Sequence, residues 1–94
     1  MIHIIFNPNS GSKSASVKKN IIKELQSIPK SILHFTEYSN HASQLASEAI
    51  ANNVTKVLVI GGDGTINEVA SQLVHHDIPL GIIPMGSGNG LARH

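Results

Sequence analysis

Three segments of this 94-residue chain combine glycine with small polar residues. They are Asn7-Pro8-Asn9-Ser10-Gly11-Ser12, Gly61-Gly62-Asp63-Gly64-Thr65 and Gly86-Ser87-Gly88-Asn89-Gly90. Glycine adopts backbone angles that other residues avoid and lets amide N–H groups approach a ligand closely. Beside a helix N-terminus such amides form a site for anions. Tight turns alone would explain one such loop. Three of them, each after an apolar run, point to a polyphosphate.

Asp63 is the most informative single residue. A carboxylate among glycine amides repels phosphate unless a cation intervenes. Mg²⁺ solves that problem, because it binds one or two carboxylates together with water and phosphate oxygens. The other reading of Asp63 is a turn residue bonding its own backbone. Thr65-Ile66-Asn67-Glu68 fits an S/T-x-x-E capping box, which explains Thr65 and Glu68 without a ligand. Asn67 is not needed for that cap and so stands out as a candidate for contact. The loops match neither a GxxxxGK[ST] phosphate loop nor a GxGxxG dinucleotide fingerprint. His3, His34, His41, His75, His76 and His94 show no metal-binding spacing: His3 and His34 read as strand residues, and His75-His76 as a helix end. Lys18, Lys19 and Lys23 read as a solvated helix face.

The elements that must hold these loops follow from apolar periodicity. Ile2 to Phe6 reads as a buried strand ended by Asn7-Pro8. Val17, Ile21, Leu25 and Ile28 recur at helical spacing, with Ser14 as N-cap and Pro29 as terminator. Ile32 to about Thr36 is a second strand. Asn40 is placed to cap a helix carrying Ala42, Leu45, Ala46, Ala49 and Ile50 on one stripe. Asn52-Asn53 can close it in the left-handed conformation. Val57 to Ile60, apolar on both faces, is a third strand. Ile66, Val69, Ala70, Leu73 and Val74 form a third helical stripe. Leu80 to Ile83 is a fourth strand, and a fourth helix is expected from Asn89.

This βαβαβαβ order predicts an α/β fold: an open parallel sheet with helices on both faces. Ligands of such sheets bind outside the carboxyl ends of the strands, where the three loops fall.

Composition narrows the function classes. The balance of 7 Lys+Arg against 6 Asp+Glu gives no electrostatic footprint for nucleic acid. An apolar fraction of 40% is too high for disorder. The absence of cysteine removes disulfides, thiolate metal sites and cysteine nucleophiles, and fits a reducing compartment. Apolar runs such as Val57 to Ile60 fall far short of the roughly 20 residues of a membrane span. The first residues lack the basic start of a signal peptide. The chain stops at Leu91-Ala92-Arg93-His94, where a helix should begin, and is expected to be an interrupted domain.

Taken together, the loops resemble the catalytic domain of the diacylglycerol kinase family, which includes sphingosine kinases and bacterial lipid kinases. Asn7-Pro8-Asn9-Ser10-Gly11 is similar to its N-P-x-[SA]-G element. Thr36 followed by His41-Ala42 resembles its threonine and downstream [GH]-A. Gly61 to Val69 resembles GGDGT-x-NEV, and Pro84 to Arg93 resembles P-x-G-[TS]-G-N-x-[FL]-A-R. GGDG alone is shared with NAD kinases and phosphofructokinases; its pairing with the last motif is the specific feature. The resemblance covers essentially the whole chain.

The resemblance implies transfer of the γ-phosphate of ATP to a lipid hydroxyl, with Mg²⁺. It implies that Asn7, Ser10, Gly11, Gly62, Gly64 and Thr65 serve the nucleotide phosphates, with Gly61 also in the nucleotide site. Thr36, Asn67, Glu68, Gly86, Ser87, Gly88 and Asn89 complete the nucleotide site. Asp63 would act through Mg²⁺, directly or through water, or as base toward the acceptor. The acceptor would be a lipid of the diacylglycerol, sphingosine or phosphatidylglycerol class. That implies a cytoplasmic protein with peripheral membrane contact.

Family members run to about three times this length, with the acceptor site between two domains. Residues 1–94 are therefore expected to be the N-terminal part of the ATP-binding domain, inactive alone, without the β-rich C-terminal domain. An open sheet edge would invite pairing with a second copy. The competing readings are a NAD kinase-type small-molecule kinase and a non-catalytic nucleotide-binding module.

Overall fold

A computed structural model describes residues 1–9 and 15–85. Its elements are β1 (Ile2–Phe6), α1 (Ala15–Gln26), β2 (Ser31–Phe35), α2 (His41–Ala51), β3 (Lys56–Gly61), α3 (Asp63–Leu73) and β4 (Leu80–Pro84). The four strands form one parallel sheet in the order β2-β1-β3-β4. The expected open parallel sheet and its alternation with helices are therefore observed. Ser14, the expected N-cap of α1, and the helix expected from Asn89 lie outside the described residues.

Handedness explains which helix covers which face. The crossover from β1 to β2 runs one way along the sheet, whereas β2 to β3 and β3 to β4 run the other way. Right-handed crossovers then place α1 on one face and α2 with α3 on the opposite face. Two apolar clusters follow. Ile4, Phe6, Leu25, Ile60 and Met85 form one, with Ile21 and Ile22 of α1 packed against it. Ile5, Val57 and Val59 form the other with Ala42, Leu45, Ala46 and Ala49 of α2 and Val69 and Leu73 of α3. The alternation along β1 and β3 splits their side chains between the two clusters. The three alanines let α2 lie close to the sheet.

Several local expectations need correction. Asn40 does precede α2, but its φ of 68° places it in the left-handed region, and its side chain makes no capping hydrogen bond. A capping side chain needs extended backbone to reach the N2 or N3 amide. Thr65 is not the cap of α3. Extended Gly62 takes that position, and α3 starts at Asp63, so Thr65 and Glu68 form no capping box. Val74 is 68% exposed because α3 ends at Leu73, and Val17 is 40% exposed in the first turn of α1. Asn53, with φ 54°, does adopt the left-handed conformation after α2.

His3 and His34 lie within strands as expected, with ring centroids 4.8 Å apart and planes tilted by 46°. His3 is buried. Its pKa is held below the ordinary value, first by burial and then by the charge of His34 and the N-terminus, with Glu48 opposing. The Nε2 atom of His34 is buried without a hydrogen-bond partner. Among the described residues, no helix is long and apolar enough to cross a membrane.

Candidate functional site

The sheet changes winding direction between β1 and β3, and their carboxyl ends flank the crevice where such sheets take ligands. The strands end in step: Phe6 is level with Phe35 and Ile60, and Gly61 with Pro84. Single backbone bonds extend the ladder past the last strand residues. Asn7 N–H donates to the Ile60 carbonyl at 2.9 Å, Thr36 N–H to Phe6 at 2.9 Å, and Met85 N–H to Gly61 at 2.8 Å. Asn7, Thr36, Gly62 and Met85, the first residues after β1, β2, β3 and β4, thus lie at one edge of the sheet.

A cavity of about 460 Å³ opens at that edge. Of the residues singled out by sequence, Asn7, Thr36, Gly62, Gly64, Thr65 and Glu68 line it. Asp63 and Asn67, one helical turn apart, line the adjoining shallow depression with Gly64, which borders both. Gly61 does not line the cavity. Ser10, Gly11, Gly86, Ser87, Gly88 and Asn89 lie outside the described residues.

The two central glycines do different work. A Cβ on Gly61 would stand 2.9 Å from Cβ and 3.2 Å from Oγ1 of Thr65, so the bare backbone makes room for that side chain. A Cβ on Gly64 would meet nothing within 4 Å. Gly64 therefore presents backbone to open space, where a ligand can approach. The first intrahelical bond of α3 runs from Ile66 N–H to the Gly62 carbonyl at 3.0 Å. The amides ahead of it, at Asp63, Gly64 and Thr65, have no acceptor within the helix. They point the positive end of the helix dipole at the cavity rim.

The first loop is braced on both sides. Asn7 Nδ2 donates to Thr65 Oγ1 at 2.9 Å, and Asn7 Oδ1 accepts from Asn9 N–H at 3.0 Å. Lys18 Nζ donates to the Pro8 carbonyl at 2.6 Å, so Lys18 is a tether and not part of the solvated face expected for it. The start of α1 lies beside the end of β1, which puts this ammonium within reach of the loop carbonyl.

Charge on the lining is negative. Glu37 and Glu68 line the cavity, Asp63 stands beside it, and the described lining includes no Lys or Arg. A polyphosphate there would need cationic help beyond the helix amides. Asp63 is exposed and makes no hydrogen bond or ion pair with any described residue. No group of three or more His, Asp or Glu among the described residues could hold a metal ion by themselves. One exposed carboxylate beside an anion cradle is the donor set Mg²⁺ uses when phosphates complete its shell. The residues present therefore fit that ion.

Sequence reasoning missed the wall formed by Glu37, Tyr38, Ser39 and Asn40. Tyr38 is stacked on His41 at 4.1 Å, with ring planes 12° apart. The signals in the sequence were that the segment follows a strand end and lies between Thr36 and His41-Ala42, which resemble a family element.

Comparison with known proteins agrees with this geometry. The model of the diacylglycerol kinase catalytic domain matches residues 1–94. A diacylglycerol kinase of Bacillus subtilis is 36% identical over 96 residues, covering 96% of this chain and 31% of the relative. Sphingosine kinase B of Dictyostelium discoideum is 33% identical over 104 residues, covering 98% of this chain and 13% of the relative. The crystal structure of a diacylglycerol kinase from Bacillus anthracis superposes with a TM-score of 0.72 at 30% identity, covering 90% of this chain and 32% of that one. The chain thus spans at most about a third of these relatives' lengths. With matching motifs, a matching sheet and a match along its whole length, this chain belongs to the diacylglycerol kinase catalytic domain family.

Proposed function

We propose that this chain is the nucleotide-binding part of an ATP-dependent lipid kinase. The observation that carries the reading is the cavity at the strand ends, where Asn7, Thr36, Gly62, Gly64, Thr65 and Glu68 meet beside the exposed carboxylate of Asp63. The phosphates of ATP lie against the amides of Gly64 and Thr65, and the family resemblance assigns Ser10, Gly11, Gly86, Ser87, Gly88 and Asn89 to nucleotide binding as well. Asp63 holds Mg²⁺, which when bound offsets phosphate charge. The remaining contribution of the protein is positioning, the main demand of phosphoryl transfer.

In the reaction a lipid hydroxyl oxygen bonds to the γ-phosphorus as the bond to the β–γ bridging oxygen breaks. ADP leaves, and the hydroxyl proton passes to a base. We place that base and the lipid site in a second, β-rich domain outside these 94 residues. Residues 1–94 alone then hold nucleotide without turnover. The acceptor is a lipid of the diacylglycerol, sphingosine or phosphatidylglycerol class, met by a cytoplasmic protein in peripheral contact with the membrane.

The test is transfer of label from γ-labelled ATP by the intact protein to each of these lipids in mixed micelles, with NAD as the competing acceptor. Labelled lipid is the expected product. Labelled NAD phosphate with no labelled lipid would overturn the reading.

A further inference from the structure

The cavity lining includes one aromatic ring, that of Tyr38. Tyr38 is 57% exposed and lines the cavity, whereas His41 packs against its ring and does not line it. The ring face turned from His41 is the one available to a ligand. Both rings are held in place. Tyr38 Oη donates to Gln44 Oε1 at 2.7 Å, and His41 Nδ1 accepts from Glu37 N–H at 2.9 Å. An exposed aromatic ring normally loses rotamer freedom when a ligand settles on it; here that freedom is already spent. Beside the shelf, Asn40 keeps its carboxamide free of any capping bond and also lines the cavity. Its left-handed backbone is what withdraws the side chain from the helix amides.

We propose that Tyr38, backed by His41, is the platform on which the nucleotide base stacks, and that Asn40 meets the polar edge of the base or ribose. This rests on the nucleotide reading above and assigns the end of the cavity that phosphate chemistry does not explain. A stacking platform favours purines over pyrimidines by ring area and separates adenine from guanine only weakly, because every base offers a π face.

Tyr38 is the one tyrosine of a chain without tryptophan, so its emission reports this site alone. Mg-ATP should quench that emission saturably. Magnesium tripolyphosphate, which has no base, should compete with ATP without quenching. By calorimetry, Tyr38→Ala should weaken Mg-ATP binding about tenfold, in line with the loss of one stacked base. The same variant should leave tripolyphosphate affinity unchanged, and Tyr38→Phe should bind ATP within about twofold of the wild type. Unchanged ATP affinity in Tyr38→Ala, or equal weakening of ATP and tripolyphosphate, overturns the platform alone. A wild-type protein that binds tripolyphosphate but not ATP also overturns it. Failure of the wild type to bind either ligand overturns the nucleotide reading itself, and the platform with it.

Discussion

Asn7 and Thr65, 58 residues apart in sequence, are joined by a 2.9 Å hydrogen bond from the carboxamide of one to the hydroxyl of the other. This bond ties the loop after β1 to the first turn of α3, across the point where the sheet reverses its winding. The same carboxamide also accepts from Asn9 N–H, so Asn7 shapes its own loop while fixing the next. Its side chain acts mainly as a positioning group for the cradle.

Asn7→Asp should separate these roles. Aspartate still accepts from Asn9 but can keep its bond to Thr65 only if that hydroxyl turns to donate, and it adds negative charge at an anion site. Stability should fall by no more than about 1 kcal/mol, the net worth of one hydrogen bond. Mg-ATP affinity should fall by more than that loss accounts for. Urea unfolding and calorimetry on the same preparation measure both; equal ATP binding in the two proteins would remove Asn7 from the site.

The two glycines should respond in opposite ways. Gly61→Ala forces a methyl against Thr65, which is itself held by Asn7, and should cost about 1–3 kcal/mol as overpacking. Gly64→Ala meets open space inside a helix, so stability should hold or rise by up to about 1 kcal/mol. Nucleotide affinity should nevertheless fall, because the methyl occupies the approach to the amides. Thermal unfolding with and without Mg-ATP distinguishes the two. A Gly64→Ala protein stabilised by Mg-ATP as strongly as the wild type would argue against phosphate at that turn.

Much of this arrangement was legible in the sequence, and its failures have a common cause. Each strand appeared as a short apolar run, and the stripes Ala42-Leu45-Ala46-Ala49 and Val69-Leu73 marked the faces that α2 and α3 bury. The loops were found because glycine and strand ends are local features. Thr65 and Glu68 were misread because S/T-x-x-E carries only local information. What captures the Thr65 hydroxyl is Asn7, and no nearby residue reveals that pairing. Lys18 was misread likewise, since its partner is a carbonyl ten residues away. Tyr38 had no signature of its own beyond following a strand end: an exposed tyrosine there becomes meaningful only once His41 and the cavity flank it.

Asp63→Asn should abolish lipid phosphorylation by the intact protein while leaving the fold in place. The side chain is exposed and makes no hydrogen bond or ion pair with the described residues, so the interaction it is expected to lose is the one with the helix dipole. That interaction is worth about 0.3–1 kcal/mol. Phosphate transfer and the thermal unfolding midpoint are the two readouts. Full activity in Asp63→Asn would remove the residue from its assigned role.

Acid should destabilise the fold through His3. Its folded pKa lies below the ordinary value of about 6.5, chiefly because burial disfavours the charged ring. Below that pH the unfolded chain takes up a proton that the folded chain refuses. Stability is therefore whole above pH 6.5, falls as the pH drops below it, and levels off beneath the folded pKa. His3→Leu should flatten this part of the curve. Urea midpoints for both proteins between about pH 7.5 and pH 5 test the sign, and parallel curves would exclude His3 as the source.

The central claim is that the loops at the strand ends form the phosphate end of a nucleotide site. The most direct measurement is an amide NMR titration of the ¹⁵N-labelled protein with Mg-ATP. Saturable shifts are expected at Gly62, Asp63, Gly64, Thr65 and Thr36, with the amides of β2 facing the far edge of the sheet unmoved. Shifts confined to other surfaces, or none at millimolar Mg-ATP, would contradict it.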